Sequence, residues 1–375
     1  MSSVTESARI SLKKVVALKP KETILIVTNP RKDLLQISKA LADVAKELGA
    51  KPLNLKKIVP KNKLKYNGFV IVQPKKTSKD FMEPYVLKAL KKIPSVLISV
   101  PVNKIGKDKA GIKKEYRGKK KKYNNIFSYL MFEGKSKGFW MPGVTLPMWK
   151  RAIDIDYNQL EKEISKLSKV IDKADKAHIT TKKGTDLWIG LKGRKAFADG
   201  MRDKRTGGGN MPCGEVFVSP AVGFTRGTLI IDGTIPLRTG ETINCGSDPI
   251  KIIFENGYIT SISNNKTGKK LLASVKWAEK EAYRLFKNKK IAAEYAKNAR
   301  HLGELGIGLN PKAILSGKVL EDEKVKETCH FAVGANYDED AKALIHLDGI
   351  VKKPTIELHI KGKKKTILRN GKLRL

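Results

Sequence analysis

The first hundred positions alternate between solid apolar runs and helically spaced apolar residues. The run Ile24–Val27 (ILIV) is followed by a polar turn and then by Leu34, Ile37, Leu41, Val44 and Leu48 at helical spacing. Thr23–Leu55 therefore predicts a β-α-β unit. A second unit follows, with strands at Phe69–Val72 and Val96–Val100 around a helix at Lys79–Lys92. Together they predict a parallel sheet with helices on its faces. The turn after the first strand reads TNPRKD and lacks G-x-G-x-x-G, which argues against a dinucleotide site. Leu160, Ile164, Leu167 and Ile171 mark one face of an amphipathic helix, read as a strut between domains.

Near Ala177 the texture changes. DLWIGL, EVFVSP, GTLIIDG and KIIFENGYITSIS are short apolar or alternating runs separated by Gly, Asn and Asp, the pattern of an antiparallel, hairpin-rich sheet. One long helix, Leu271–Ala299, interrupts it. The C-terminus returns to strands through TIELHI and KTILRNGKLRL, where Asn370-Gly371 suits a two-residue hairpin turn. No repeat of solenoid period is present. The expected fold is mixed: an N-terminal parallel-sheet α/β domain over 1–176, with a basic loop and a connecting helix, and an α+β, largely antiparallel domain over 177–375.

Composition agrees with two domains: 375 residues, 41% hydrophobic and 30% charged, carry enough apolar side chains for a full core. No apolar run reaches membrane-spanning length, and MSSVTESARISLKKVV lacks a signal-peptide core, so a soluble cytoplasmic protein is expected. Three widely spaced cysteines, Cys213, Cys245 and Cys329, read as reduced thiols rather than as a disulfide framework or zinc knuckle. The net charge of +39 raises a nucleic-acid partner. The densest run, Lys104–Lys122, holds ten basic residues against two acidic ones, yet only Tyr116 interleaves. That composition serves neither groove reading nor base stacking, and predicts a solvated loop with non-specific polyanion affinity.

Against this basic background, Glu304–Asp348 holds nine acidic residues and five lysines, with His330 and His346 among them. Carboxylates and imidazoles gathered in one stretch point to a bound cation. His346-Leu347-Asp348 lies in a strand-like context, so its imidazole and carboxylate share a face. His330 lies in CHFAVG, with Cys329 on the opposite side. Glu304, in RHLGELGIGLN, is flanked by Gly303, Gly306 and Gly308, whose density suits close backbone approach at a sharp helix-to-strand turn. Glu215 opens a strand after a glycine turn in NMPCGEVFVSP. Two imidazoles with carboxylates suit zinc, cobalt, manganese or iron. No H-E-x-x-H or G-x-S-x-G is present.

GNMPCGEVFVSP, LGELGIGLNP, EDEKVKETCHFAVGANY and the HLD triplet, in that order, resemble the signatures of the aminopeptidase T type thermophilic metallopeptidases, with the archaeal leucyl aminopeptidase-like branch the nearest fit. MPGVT at Met141–Thr145, the IDYNQL helix start and GTDLWIGLKGR at Gly184–Arg194 extend it upstream. The resemblance implies an aminopeptidase with two divalent ions (Zn, Co, Mn or Mg) in its C-terminal domain. It implies Glu215, Glu304, Glu323, His330, His346 and Asp348 as ligands, with Glu321 and Asp322 as rivals to Glu323. It implies Glu304 or Glu215 as proton carrier, Tyr337 as a donor to the oxyanion, short peptides as substrates and a homodimer that encloses the catalytic face; Phe139, Trp140 and Trp149, near the MPG turn, are read either as lining of such a lid or as an ordinary hydrophobic interface. His330, His346 and Asp348 alone match a different class, the two-His-one-carboxylate iron oxygenases, and ring-cleaving pyridine-diol dioxygenases resemble this family in fold. A non-catalytic, basic polyanion-binding protein is the third reading.

Overall fold

The apolar run predicted to start the fold does so: Thr23–Thr28 is a strand whose Ile24, Leu25 and Ile26 are wholly buried. The computed structural model describes residues 2–75, 77, 80–103, 105–119, 122–200 and 208–375. It divides into two units, Met1–Tyr157 with Asp199–Cys213, and Asn158–Ala198 with Gly214–Leu375.

In the first unit the sheet runs in the order Gly208–Asn210, Lys137–Trp140, Val96–Val100, Thr23–Thr28, Val70–Val72 and Leu64–Lys65, with Lys51–Pro52 also paired to Thr23–Thr28. Leu64–Lys65 is its antiparallel member. Helix Lys32–Glu47 buries Leu34, Ile37, Leu41 and Val44, the predicted stripe. The second helix is shorter than the pattern implied, Pro84–Leu90. Pro84 occupies its first turn, where a missing N–H costs nothing, and Ile93 at φ 52° ends the segment. Lys79, the predicted start, lies outside the described residues, as do Lys104, Lys120 and Lys121 of the basic run. The rest of that run is not a plain loop. Helix Lys109–Ile112 and a ladder of Tyr116–Arg117 with Lys122–Tyr123 form there. Buried Asp108 organises it by accepting from Gly111 N at 2.7 Å and Ile126 N at 3.0 Å. Phe139 and Trp149 are core residues rather than lid lining: both are fully buried, and Trp149 Nε1 donates to the Val4 carbonyl at 3.1 Å. Trp140 packs edge-on against Phe127 and Phe132.

The second unit opens with helix Tyr157–Ile171, which buries Leu160, Ile164, Leu167 and Ile171. Its larger sheet is antiparallel, in the order Tyr258–Ile262, Ile250–Glu255, Arg226–Ile231, Asp186–Gly190, Lys176–Thr180, Thr355–Ile360, Lys363–Arg369 and Lys372–Leu373. Asn370 and Gly371, at φ 48° and 82°, make the predicted hairpin turn. The long helix is displaced from its expected span to Lys266–Lys287: Asn265 caps its start by accepting from Gly268 N, and Lys289 at φ 54° follows its end. The smaller sheet carries the site. It comprises β1 (Glu215–Val218), β2 (Leu302–Gly308), β3 (Thr328–Gly334) and β4 (His346–Lys352), in that order, with Phe197–Asp199 outside β1. The three cysteines are free and buried, and burial pushes the Cys245 thiol up to about 12 and raises that of Cys329, so neither of these two is poised as a nucleophile. Among the described residues no helix is long and apolar enough to cross a membrane.

Candidate metal centre

Directly opposed residues of an antiparallel sheet share a face, and faces alternate along each strand. The register sets Glu304 of β2, Ala332 of β3 and Asp348 of β4 in one row. On the neighbouring rows of that face His330 opposes Gly306, His346 opposes Gly334, and Glu215 of β1 opposes Gly308. Period two therefore projects Glu215, Glu304, His330, His346 and Asp348 from one side of one sheet.

The glycines of LGELGIG make this possible, but not as a turn. All seven residues of Leu302–Gly308 form a buried strand. A Cβ at Gly306 would overlap the His330 ring, and one at Gly308 would overlap the Val325 carbonyl. At Gly303, where the register slips between Leu302 and Glu304, it would overlap the Ala335 carbonyl. These are close approaches across the sheet. The helix-to-strand reading of this segment is thus corrected.

The side chains converge. His330 Nε2 lies 3.0 Å from Glu304 Oε1 and 3.7 Å from Glu215 Oε2. His346 Nε2 lies 3.3 Å from Glu304 Oε2 and 3.1 Å from Asp348 Oδ1. His346 Nδ1 donates to the Ala335 carbonyl at 2.8 Å, which fixes the ring and turns Nε2 toward the acids. Ligand atoms of Glu304, His330 and Asp348 all fall within 4.8 Å of one another. The buried Glu304 Oε2 and Asp348 Oδ1 complete no hydrogen bond. Two imidazoles and carboxylate oxygens left open in a buried pocket form a donor set that fits a divalent ion.

Glu323, just after helix Val319–Asp322, meets the group through Lys324, whereas its rivals are used elsewhere. Glu321 accepts from Ile314 N, and Asp322 accepts from Ser316 N and from Thr234 Oγ1. Sequence reasoning missed Lys324. Its side chain is 0% exposed, and its Nζ donates to Glu215 Oε1 at 2.5 Å and Glu323 Oε1 at 2.6 Å.

Charges in this pocket respond to one another. Burial pulls His330 down, but the hydrogen bond to Glu304 and the carboxylates around it raise it to about 9. Burial likewise opposes the charged form of His346, and Asp348 and Glu304 outweigh it, leaving the imidazole well above its usual value. Desolvation opposes the charged form of Asp348, and the positive charge of the nearby His346 ring outweighs it and holds the carboxyl at about 2. Burial, with Lys324 opposing and Glu215 and Asp348 adding to it, lifts Glu323 to about 7. A pocket that stabilises every positive form offered to it attracts cations.

Tyr337 stands at the margin, 52% exposed, with its ring 5.2 Å from that of His346 and 5.0 Å from that of Phe217. Its phenol keeps its proton at neutral pH, so it is a hydrogen-bond donor. The acidic residues after it are anchored. Arg194, with 14% of its side chain exposed, reaches Asp338 at 3.3 Å and Asp340 at 2.8 Å, and Asn336 donates to Asp340. His301, just upstream of β2, is wholly buried with neither ring nitrogen hydrogen-bonded, and burial lowers it to about 4. The unfolded chain binds this proton near 6.5, so unfolding free energy should fall by about 3 kcal/mol as pH drops from 6.5 to 4. Denaturant titrations of wild type and His301→Phe at both pH values check this. The variant should lack that share of the pH dependence, and equal dependence would contradict it.

Residues 154–286 match the thermophilic metalloprotease (M29) family, a segment that contains Glu215 and ends before Glu304. No curated protein matches the chain in sequence. Among solved structures the fold is similar to 2,5-dihydroxypyridine dioxygenase from Pseudomonas putida KT2440, with a TM-score of 0.67, 15% identity, and 99% of this chain and 96% of that one covered. It is also similar to wild-type AmpT from Thermus thermophilus, with a TM-score of 0.64, 15% identity and 99% of each chain covered. The resemblance to the aminopeptidase T type and the expected mixed α/β and α+β fold are both borne out.

Proposed function

We propose that this chain, which resembles the aminopeptidase T type metallopeptidases in sequence family and in fold, removes N-terminal residues from short peptides by metal-dependent hydrolysis. The observation that carries this reading is the convergence of His330, His346, Glu304 and Asp348 on one face of β2, β3 and β4. Those four residues would hold the ion, with zinc, cobalt, manganese or magnesium the candidates. A divalent ion there supplies Lewis acidity and lowers the pKa of a water.

The protein's own groups do the rest. Glu304 is one of the four residues that would hold the ion, so its carboxylate is committed there and it is a poor proton carrier. Glu323, near neutrality, suits the role better: it accepts a proton from the attacking water and returns it to the leaving amine. Tyr337 donates to the oxygen that becomes negative. The surplus of carboxylates receives the substrate's α-ammonium, which selects a free N-terminus. A homodimer is the setting that the resemblance implies.

The test is hydrolysis of an amino-acid anilide against its N-acetyl analogue in the presence of each metal. Cleavage of the free amine that a chelator stops and metal restores is the expected result. Equal cleavage of both substrates, or of neither with any metal, would contradict the reading. A second reading, a mononuclear iron oxygenase, is favoured by the two-His-one-carboxylate group of His330, His346 and Asp348. It predicts oxygen uptake with ferrous iron and a dihydroxypyridine, and no anilide cleavage.

A further inference from the structure

Among the described residues Lys324 is the only buried lysine, and the other described lysines lie at or near the surface. A buried ammonium persists only with close, hydrogen-bonded countercharges. Here they are Glu215 and Glu323, two of the carboxylates that the resemblance assigns to metal. We propose that Lys324 is a built-in cation of the centre: it holds Glu215 and Glu323 as its own pair, so the centre takes one divalent ion, at Glu304, His330, His346 and Asp348, rather than two. The proposal rests on the metallopeptidase reading above and deepens it.

The position of the ammonium is fixed from its backbone outward. Lys324 N donates to the Glu321 carbonyl at 2.9 Å, and its own carbonyl accepts from Asn310 N at 2.8 Å. The Lys324–Val325 backbone crosses directly over Gly308, the residue opposed to Glu215, and only a glycine admits it there. The side chain is thereby aimed at Glu215 from a base that cannot recede. Swinging it out would strand two buried carboxylates, and leaving it in place puts an ammonium where a second dication would have to sit. The ligand atoms gathered within 4.8 Å come from Glu304, His330 and Asp348, without Glu215 or Glu323.

Charge balance supports the same count. Glu215, Glu304, Glu323 and Asp348 are offset by the ammonium and one dication to leave a single negative charge, which suits a substrate carrying one α-ammonium. A second dication would make the pocket positive and repel that group.

The experiment is metal analysis of the full-length protein loaded with manganese and freed of loosely held ion, together with its electron paramagnetic resonance spectrum. Wild type should hold one ion per chain with the hyperfine pattern of an isolated Mn(II). Lys324→Ala should take up two and show an exchange-coupled pair. Two ions or a coupled spectrum in wild type would overturn the proposal, and so would a folded Lys324→Ala that still holds one. The wild-type spectrum decides the matter alone if the variant does not fold. A wild type that binds no metal at all would instead sink the metallopeptidase reading.

Discussion

A His346→Ala enzyme is expected to lose on the order of 1,000-fold or more in kcat/KM for an amino-acid anilide, about 4 kcal/mol of transition-state stabilisation. The ring is locked by its Nδ1 bond to the Ala335 carbonyl and presents Nε2 to both Glu304 and Asp348. Removing it takes away one ligand and lets two neighbouring carboxylates repel each other unrelieved. The side chain stays 25% exposed at the start of β4, so its loss should cost the fold no more than about 1–2 kcal/mol. Metal titration and thermal unfolding on the same sample separate the two effects. Activity close to wild type would remove His346 from the centre.

The second large effect is expected from a residue that touches no substrate. Gly306→Ala would drive a methyl group into the His330 ring that lies over it. Packing strain should cost about 1–3 kcal/mol of stability. The displaced imidazole should weaken metal binding by about 10- to 100-fold, as expected when the support of a ligand is disturbed. A double-mutant cycle identifies the cause. Once His330 is replaced by Ala, adding Ala at 306 should change metal affinity little, because no ring remains to be displaced. If the two substitutions act additively, Gly306 does not work through His330.

Period-two patterning carried much of this site in the sequence alone. In a strand, His346 and Asp348 must share a face, and Glu215 was placed correctly at the start of its strand. The parallel sheet around Thr23–Thr28 was equally visible, because solid apolar runs between helical stripes have few other uses. Other features were hidden for definite reasons. Gly303, Gly306 and Gly308 looked like a turn because glycine signals close approach without saying what approaches, and here the neighbours are β3, the Ala335 carbonyl and the Lys324–Val325 backbone. Lys324 was masked twice, by an acidic EDEK context that reads as solvated and by a chain so rich in lysine that one more carries no signal. The anchoring of Asp338 and Asp340 depends on Arg194, well over a hundred residues earlier, a pairing that no local pattern announces. Phe139 and Trp149 looked available to a lid because aromatic residues beside a glycine turn do not reveal which way they face, and both face the core.

The measurement that bears most directly on the account is anomalous diffraction from crystals soaked in cobalt or zinc. It should place an ion within about 2–2.5 Å of ligand atoms of His330, His346, Asp348 and Glu304, with Lys324 still between Glu215 and Glu323. No bound ion at that face of the sheet, or an ion bound elsewhere while these side chains keep to one another, would contradict it.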